Sequence, residues 1–242
     1  AMSLGLILIG LLRTPLRWSG AVVLASGVVW ALALPQPDVL ISGDGRNVAV
    51  RGRDGALHMM RTGKDAFLFK EWLAADADAR LPIDPSLGAG ISCDDLGCVA
   101  AMADGRLVAL SLRSEAVADD CARAALVVTS RQAPSSCAAS VIDRERLQHQ
   151  GALALRRQRE GQVPRQREGE REGIAFAVEA ARPNGIDRPW WPGATDGGEF
   201  DATLVPRSAA PAPTPAPTAA PIPAPARWQD ATPAEPDQQQ ED

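Results

Sequence analysis

Two long apolar runs open the chain, and a shorter alternation of apolar and polar positions follows them. The runs are Leu4–Leu12 and Gly20–Leu34. A membrane-spanning helix needs about 20 apolar residues, or about 17 at the short end. The second run reaches that length once Trp18 and Ser19 are included, whereas the first is too short unless it is truncated. Residues 1–36 are therefore predicted to hold one or two transmembrane segments.

Two other interpretations of this N-terminal pattern stay open. Arg13 and Arg17 suit the charged beginning of a signal peptide, with Ala31 and Ala33 at a weak cleavage site. The apolar run is also compatible with a buried core helix. The apolar residues before Arg13 argue against a signal peptide. A membrane segment and a signal peptide both place the following residues outside the cytoplasm if the two arginines stay inside.

From Asp38 the pattern changes to the alternation that is typical of half-buried strands. Asp54–Gly55 and Asp104–Gly105 each lie between two such runs, which predicts two β-hairpins. The predicted strands are Val39–Ser42, Asn47–Arg51, Ala56–Arg61, Val99–Met102, Leu107–Leu112, Ala125–Thr129, Gly151–Leu155 and Ile174–Val178. The predicted helices are Asp65–Asp76, Ser114–Arg123 and Arg144–Gln150. The fold class is therefore α+β: the N-terminal helix or helices precede a small mixed α/β domain at 37–192, built of short strands and two to three helices.

Two segments lack a pattern that would bury apolar surface. Residues 156–173 repeat the sequence Arg-Gln-Arg-Glu-Gly without an apolar face and are predicted to be a solvated insertion in the domain. Their arginines could touch an anionic surface, although an expanded loop is the simpler interpretation. Residues 193–242 are rich in proline and alanine and are predicted to be a disordered tail. Trp190 and Trp191 precede this tail and are interpreted as a cap on the core, with ligand binding as the alternative.

The charge of the chain gives no positive indication of function. The chain has a net charge of −5, and residues 38–157 contain 15 Lys and Arg against 16 Asp and Glu. Proteins that bind nucleic acid usually present a basic face, because neutralisation of phosphates supplies most of the affinity. No such face is evident in the bulk composition, but clustering of arginines in three dimensions could still make one.

The four cysteines are Cys93, Cys98, Cys121 and Cys137. An even number of cysteines after an apolar segment favours an oxidising compartment and two disulfides. Their order suggests that Cys93 pairs with Cys98 and Cys121 with Cys137. Zinc binding is the alternative, but no second close cysteine pair and no His-x(3–5)-His follows the Cys-x4-Cys motif. We therefore predict structural disulfides and no metal.

Candidate catalytic residues are scarce. His58 and His149 are the only imidazoles, and the chain contains no GxSxG motif, phosphate-binding loop or dinucleotide-binding glycine pattern. Asp44 and Asp94–Asp95 lie in glycine-bearing turns, where aspartate usually bonds to its own backbone. Asp119–Asp120 is interpreted as the solvated face of a helix. The sequence predicts no catalytic residue, no cofactor and no metal ligand, so we do not expect an enzyme.

A series of short motifs resembles a known family. The first motifs are Pro37–Arg46, Val48–Arg51, Asp54–Gly55, Trp72–Leu73 and the pair Cys93 and Cys98. The later motifs are Asp120–Cys121, Ala125–Thr129, Cys137, Val141–Arg144, Leu147 and Gly151–Ala152. In this order they are similar to the C-terminal region of proteobacterial ComEC-family competence proteins. The resemblance covers about residues 16–192 and excludes the insertion and the tail.

The resemblance implies a function that composition alone does not indicate. The family carries one DNA strand across the bacterial inner membrane during natural transformation. Many members end in a metallo-β-lactamase-like domain outside the cytoplasmic membrane. The chain would then be the terminal portion, with a periplasmic domain and, as partners, the membrane, single-stranded DNA through the parent channel, and other competence-machinery components.

The chain also departs from that family. Metallo-β-lactamase-like hydrolases hold their metals with a His-x-His-x-Asp-His cluster, which is missing from this sequence. The resemblance therefore implies a degenerate form of that fold without nuclease activity. A membrane-tethered envelope interaction or structural module unrelated to DNA is the alternative function, and a metal-dependent nuclease is the least favoured one.

Overall fold

A computed structural model of the chain describes residues 2–11, 17–33, 35–60, 65–158, 175–182 and 201–206. Most of the predicted insertion, the two tryptophans at 190 and 191, and the tail beyond residue 206 lie outside the described residues. The chain divides into two units, Ala1–Gln36 and Pro37–Asp242, and each is considered by itself.

The first unit is a pair of helices that pack closely at two glycines. Helix α1 spans Met2–Leu11 and helix α2 spans Arg17–Ala33. A Cβ added at Gly20 would lie 2.8 Å from the carbonyl oxygen of Gly5, and one at Gly5 would lie 2.9 Å from the carbonyl oxygen of Gly20. Only glycine lets two backbones approach this closely, so these two residues determine where the helices cross.

The predicted transmembrane segment at residues 1–36 is wrong. Among the described residues, no helix combines the length and the apolar character that crossing a membrane requires. Helix α1 has 10 residues and α2 has 17. At 1.5 Å per residue they extend about 15 Å and about 25 Å, whereas the hydrocarbon core of a bilayer is about 30 Å thick.

The second unit is a mixed α+β fold with three helices and two sheets in its described part. The strands are β1 (Val39–Ile41), β2 (Val48–Arg51), β3 (Leu57–Met59), β4 (Ile91–Cys93), β5 (Gly97–Ala101), β6 (Leu107–Ser111), β7 (Leu126–Thr129), β8 (Ser140–Ile142), β9 (Leu153–Arg157), β10 (Phe176–Ala180) and β11 (Thr203–Leu204). The helices are α3 (Ala66–Ala75), α4 (Ser114–Arg123) and α5 (Arg144–Gln150), and a short 3-10 helix spans Pro85–Gly88.

The two sheets differ in the direction of their strands. The first sheet has the order β11-β10-β9-β1-β2-β3 and is antiparallel throughout. The second has the order β4-β5-β6-β7-β8, in which β4, β5 and β6 are antiparallel and β6, β7 and β8 are parallel. The carboxyl ends of three neighbouring strands therefore meet at one edge of the second sheet.

Alternation along the strands divides the core into layers. Val48 and Val50 of β2 pack between the two sheets with Leu110 of β6, whereas Ala49 packs on the outer side with α3. Val99 of β5 faces the outer layer of the second sheet, which α4 covers. Since successive side chains of a strand point to opposite faces, each sheet buries one face against the other sheet and one against a helix. The order of layers is α3, first sheet, second sheet, α4.

Strands β4 and β8 are not among the predicted strands, and β9 and β11 extend into segments that are predicted to be irregular. Strand β9 continues to Arg157, two residues into the predicted insertion, and pairs with β10 on the other side of it. Strand β11 lies within the predicted tail and pairs with β10, with Phe176 opposite Leu204. Both side chains are buried, at 0 % and 6 % exposure, so this short strand completes the inter-sheet core.

Candidate functional site

The disulfide between Cys121 and Cys137 fastens α4 to the loop that follows β7. Its S–S distance is 1.96 Å, and its Cα atoms are 5.0 Å apart. Both cysteines are buried in the outer layer of the second sheet, against Val117 and Val141. The bond therefore closes a loop of the chain over a packed apolar cluster and has the surroundings of a structural disulfide.

The second disulfide joins two strands at the edge of the same sheet. Cys93 of β4 lies directly opposite Cys98 of β5, with an S–S distance of 2.08 Å. Asp94 forms the turn between them, because its carboxylate accepts hydrogen bonds from the N–H groups of Leu96 at 2.8 Å and Gly97 at 2.9 Å. The two pairs are those that the order of the cysteines suggests, and Asp94 acts as a turn residue.

A buried polar pair holds α4 on the second sheet. The hydroxyl of Ser111, the last residue of β6, donates to a carboxylate oxygen of Asp120 at 2.5 Å, and both residues are fully buried. The interpretation of Asp119–Asp120 as a solvated face is thus wrong for Asp120, whereas Asp119 is half-buried and pairs with Arg123 at 3.0 Å. A pattern in the sequence could have shown this. Asp120 follows Ala116 by four positions and Val117 by three, so the three residues lie on one face of the helix, which is the buried face.

The polar side chains of the turn after β1 form hydrogen bonds with one another and with the backbone of the same turn. The Ser42 hydroxyl lies 2.5 Å from a carboxylate oxygen of Asp44 and 3.1 Å from the carbonyl oxygen of Asn47, and it accepts the N–H of Asn47 at 3.0 Å. The same oxygen of Asp44 accepts the N–H of Arg46 at 3.0 Å. Because these groups are already engaged with the backbone, Asp44 is a turn residue and Ser42 is a poor candidate nucleophile.

The two histidines lie on different elements. His58 is on β3, and its Nε2 contacts both carboxylate oxygens of Asp54, at 3.1 and 3.0 Å. Burial raises the pKa of Asp54, but the hydrogen bonds from His58 and from the N–H of Ala56 outweigh it and leave that pKa below its ordinary value. His149 is in the last turn of α5. A nucleophile activated by histidine needs both groups within hydrogen-bond reach, and His58 has a carboxylate in that position instead.

Ion pairs that sequence reasoning did not predict connect distant parts of the domain. Arg51 forms two hydrogen bonds to Asp76 at the end of α3, at 3.1 and 2.5 Å. Arg80 pairs with Asp78 and donates to the carbonyl oxygen of Leu57 at 2.8 Å. The hydrogen bond from Arg80 outweighs burial and lowers the pKa of Asp78. These pairs tie the loop after α3 to β2 and β3.

A further arginine connects the two sheets. Arg157 at the end of β9 pairs with Asp38 at 2.8 Å and with Asp104 of the β5–β6 turn at 3.1 Å. Burial opposes the charge of Arg157, but the hydrogen bonds to the two carboxylates outweigh it and raise its pKa. No periodic signal in the sequence could have shown this contact, because Asp38 and Arg157 are 119 positions apart.

Trp72 of α3 packs in the outer layer of the first sheet, with its ring centroid 5.9 Å from that of Phe69. Its side chain is partly buried against this apolar cluster. Within the described ranges, no group of three His, Cys, Asp or Glu side chains is arranged to hold a metal ion. The carboxylates of Asp44 and Asp94 serve turns, and those of Asp76 and Asp78 form ion pairs.

Comparisons with known proteins leave the resemblance to ComEC-family proteins without support. No protein-family model, no curated protein and no solved structure matches the chain. The competence function and the metallo-β-lactamase-like fold thus rest on the short sequence motifs alone.

Proposed function

We propose that the chain is a non-catalytic, extracytoplasmic portion of a ComEC-like DNA-uptake protein, at the outer side of the bacterial inner membrane. The observation that carries this proposal is the pair of disulfides, Cys93–Cys98 and Cys121–Cys137. Disulfides persist in oxidising compartments such as the bacterial periplasm and are rare in the cytosol. All four cysteines are paired, which supports a location outside the cytoplasm.

A non-catalytic role is supported by what the polar residues do. Asp44 and Asp94 are bonded to backbone N–H groups, and Asp120 is fully buried against Ser111. Groups that activate water or a nucleophile must be reachable by substrate and free to exchange a proton. These carboxylates are committed to turns and to the packing of α4, so they support the stability of a scaffold.

The link to DNA comes from the motifs that resemble the family. Those motifs occupy structurally demanding positions: residues 42–46 form the β1–β2 turn, and Asp54–Gly55 lies in the β2–β3 turn with a φ of 76° at Gly55. Single-stranded DNA, delivered through the parent channel, and other competence-machinery components are the proposed partners. An envelope module unrelated to DNA would share the disulfides but have no effect on transformation.

Two measurements in the native host test the proposal separately. Thiols are counted in the denatured protein without reductant, and we expect none to be free; four free thiols would contradict an extracytoplasmic location. Transformation frequency is then compared between the wild type, a deletion of the coding sequence for this chain, and the complemented deletion. We expect the deletion to lose transformation and complementation to restore it. Undiminished transformation would favour the envelope module.

A further inference from the structure

An exposed arginine follows each of the three parallel strands of the second sheet. Strands β6, β7 and β8 end at Ser111, Thr129 and Ile142. Two residues beyond each end, in the same order, stand Arg113, Arg131 and Arg144, all exposed. Since the carboxyl ends of parallel strands meet at one edge, these three side chains originate along one line. Neighbouring strands are about 4.8 Å apart, so the line extends over about 10 Å.

Direct contacts place the middle of this line next to the turn after β1. The N–H of Arg144 donates to the carbonyl oxygen of Arg131 at 3.1 Å. Gly45 packs against Ser130: a Cβ added at Gly45 would lie 3.5 Å from the Cα and the N of Ser130. Arg46, which is exposed, is therefore brought beside Arg131. We call Arg46, Arg113, Arg131 and Arg144 the arginine edge.

The charges of the arginine edge are not neutralised within the described part of the chain. None of its four guanidinium groups forms an ion pair there, whereas Arg51, Arg80, Arg123, Arg156 and Arg157 each contact a carboxylate. Arg113 donates only to a backbone carbonyl, that of Asp95, at 3.3 Å. Arginines that remain exposed and unpaired are available for phosphate oxygens, which match the fork of the guanidinium group.

Acidic side chains near the arginine edge reduce its positive charge. Asp44 and Asp143 accept backbone N–H groups at the same edge, from Arg46 at 3.0 Å and Arg146 at 3.2 Å. Glu115 and Glu145 are exposed and follow Arg113 and Arg144 by two positions and one, and exposed Asp95 is held beside Arg113 by the hydrogen bond to its carbonyl oxygen. These five carboxylates outnumber the four arginines, so the edge has no net positive charge. Binding must depend on individual contacts between guanidinium groups and phosphates, so it should be weak and sensitive to salt.

We infer that the arginine edge binds the phosphate backbone of single-stranded DNA without reading its sequence. A line of separate arginines fits an extended polyanion better than a single phosphate, which would need convergent donors. The described residues place no exposed aromatic side chain at this edge on which bases could stack, so the contacts are confined to the backbone. The choice of DNA as the polyanion rests on the proposed function.

The test uses the full chain and fluorescence anisotropy with fluorescein-labelled oligo(dT) over a range of salt concentrations. The variant is Arg131→Ala/Arg144→Ala. Its control is Arg53→Ala/Arg106→Ala, which removes the same charge from two exposed turn residues; Arg106 precedes β6 and thus lies at the opposite edge. We expect the edge variant to bind more weakly and to lower the slope of log K against log salt by about 1.4, since each lost phosphate contact contributes about 0.7. The control should retain the affinity and the slope of the wild type.

Other outcomes separate this inference from the proposed function. Equal losses of affinity in the edge variant and in the control would contradict the assignment of the binding site to the arginine edge, although the chain would still bind DNA. Absence of measurable binding by the wild type would also overturn it, and the proposed function would then depend on the thiol and transformation measurements alone. Arg131→Lys/Arg144→Lys retains both charges and should recover most of the salt dependence; failure to do so would contradict an electrostatic contact.

Discussion

Nε of Arg157 donates a hydrogen bond to one carboxylate oxygen of Asp38 at 2.9 Å, and a terminal guanidinium nitrogen forms an ion pair with the same oxygen at 2.8 Å. The backbone N–H of Arg157 donates to the other oxygen of Asp38 at 2.8 Å. Arg157 ends β9, and Asp38 precedes β1, its neighbour in the first sheet. The arginine also reaches Asp104 of the second sheet. One side chain thus connects both sheets at the point where the chain enters the predicted insertion.

Replacement of Arg157 by lysine should therefore destabilise the domain, although the positive charge is retained. Arg157→Lys cannot reproduce the fork that reaches two carboxylates. We expect a loss of about 1 to 2 kcal/mol in the free energy of unfolding, because hydrogen bonds between charged groups contribute about that much when partly buried. The neighbouring Arg156→Lys is the control: its partner Glu179 is 66 % exposed, and a loss within about 0.5 kcal/mol is expected. Urea unfolding followed by circular dichroism measures both, and equal losses would contradict the assigned role.

The buried pair of Ser111 and Asp120 predicts that substitution of Asp120 destabilises the domain more than substitution of its neighbour Asp119. Asp120→Ala removes a buried carboxylate and leaves the hydroxyl of Ser111 without this acceptor, which should cost about 1 to 3 kcal/mol. Asp119→Ala removes a partly exposed ion pair one position away and should cost less, at most about 1 kcal/mol. Thermal and urea unfolding of the two variants give the comparison. If Asp119→Ala were the more destabilising change, the orientation of α4 would be wrong.

The disulfides should contribute unequally to stability. The loop closed by Cys121 and Cys137 has a sequence separation of 16, against 5 for Cys93 and Cys98. Because the entropy removed from the unfolded chain grows with loop length, the double variant Cys121→Ala/Cys137→Ala should lose about 3 kcal/mol and Cys93→Ala/Cys98→Ala about 2 kcal/mol. Denaturant unfolding of the oxidised proteins measures both losses. The reverse order would show that contacts made by the exposed Cys93 matter more than loop closure.

Acid stability should depend on the contact between Asp78 and Arg80. The pKa of Asp78 is lowered in the folded state, chiefly by its hydrogen bond to Arg80. The unfolded state therefore takes up a proton first, at the ordinary value of 3.8. The stabilisation is present above this pH and is lost as the pH falls through the lower pKa of the folded state.

Two variants test this dependence. Asp78→Asn should make the decline of unfolding free energy below pH 3.8 shallower than in the wild type. Arg80→Gln should produce a similar shallowing, since it removes the cause of the shift, and the double variant should add little more. Urea unfolding at a series of acidic pH values supplies the slopes. Additive effects of the two changes would mean that Arg80 is not the cause of the lowered pKa of Asp78.

Local structure was predictable where short-range chemistry decides it. Asp104–Gly105 predicts the β5–β6 hairpin, and Gly105 has the positive φ, 84°, that this turn requires. Asp143 predicts the start of α5, and its carboxylate accepts the N–H of Arg146. The strands predicted at 151–155 and 174–178 are found at 153–157 and 176–180, and they pair with each other.

Positions that depend on distant partners were predicted less well. Asp120 carries a charge that favours solvent, yet it is buried because Ser111 offers it a hydrogen bond across the interface between α4 and β6. The apolar run at the N-terminus satisfies the composition of a membrane segment, whereas α2 ends after 17 residues and packs on α1 at Gly20. Strand β11 is too short to show a period and exists through its pairing with β10.

By itself, the sequence determined the turns, most strands and helices, and the order of the cysteines, because these follow from side chains within a few positions of one another. Only the tertiary structure decided that the strands divide into two sheets, that Arg157 meets Asp38 and Asp104, and that four exposed arginines share one edge. Such relationships join residues tens of positions apart, and their free energy comes from burial and charge pairing that exist only once the layers have packed.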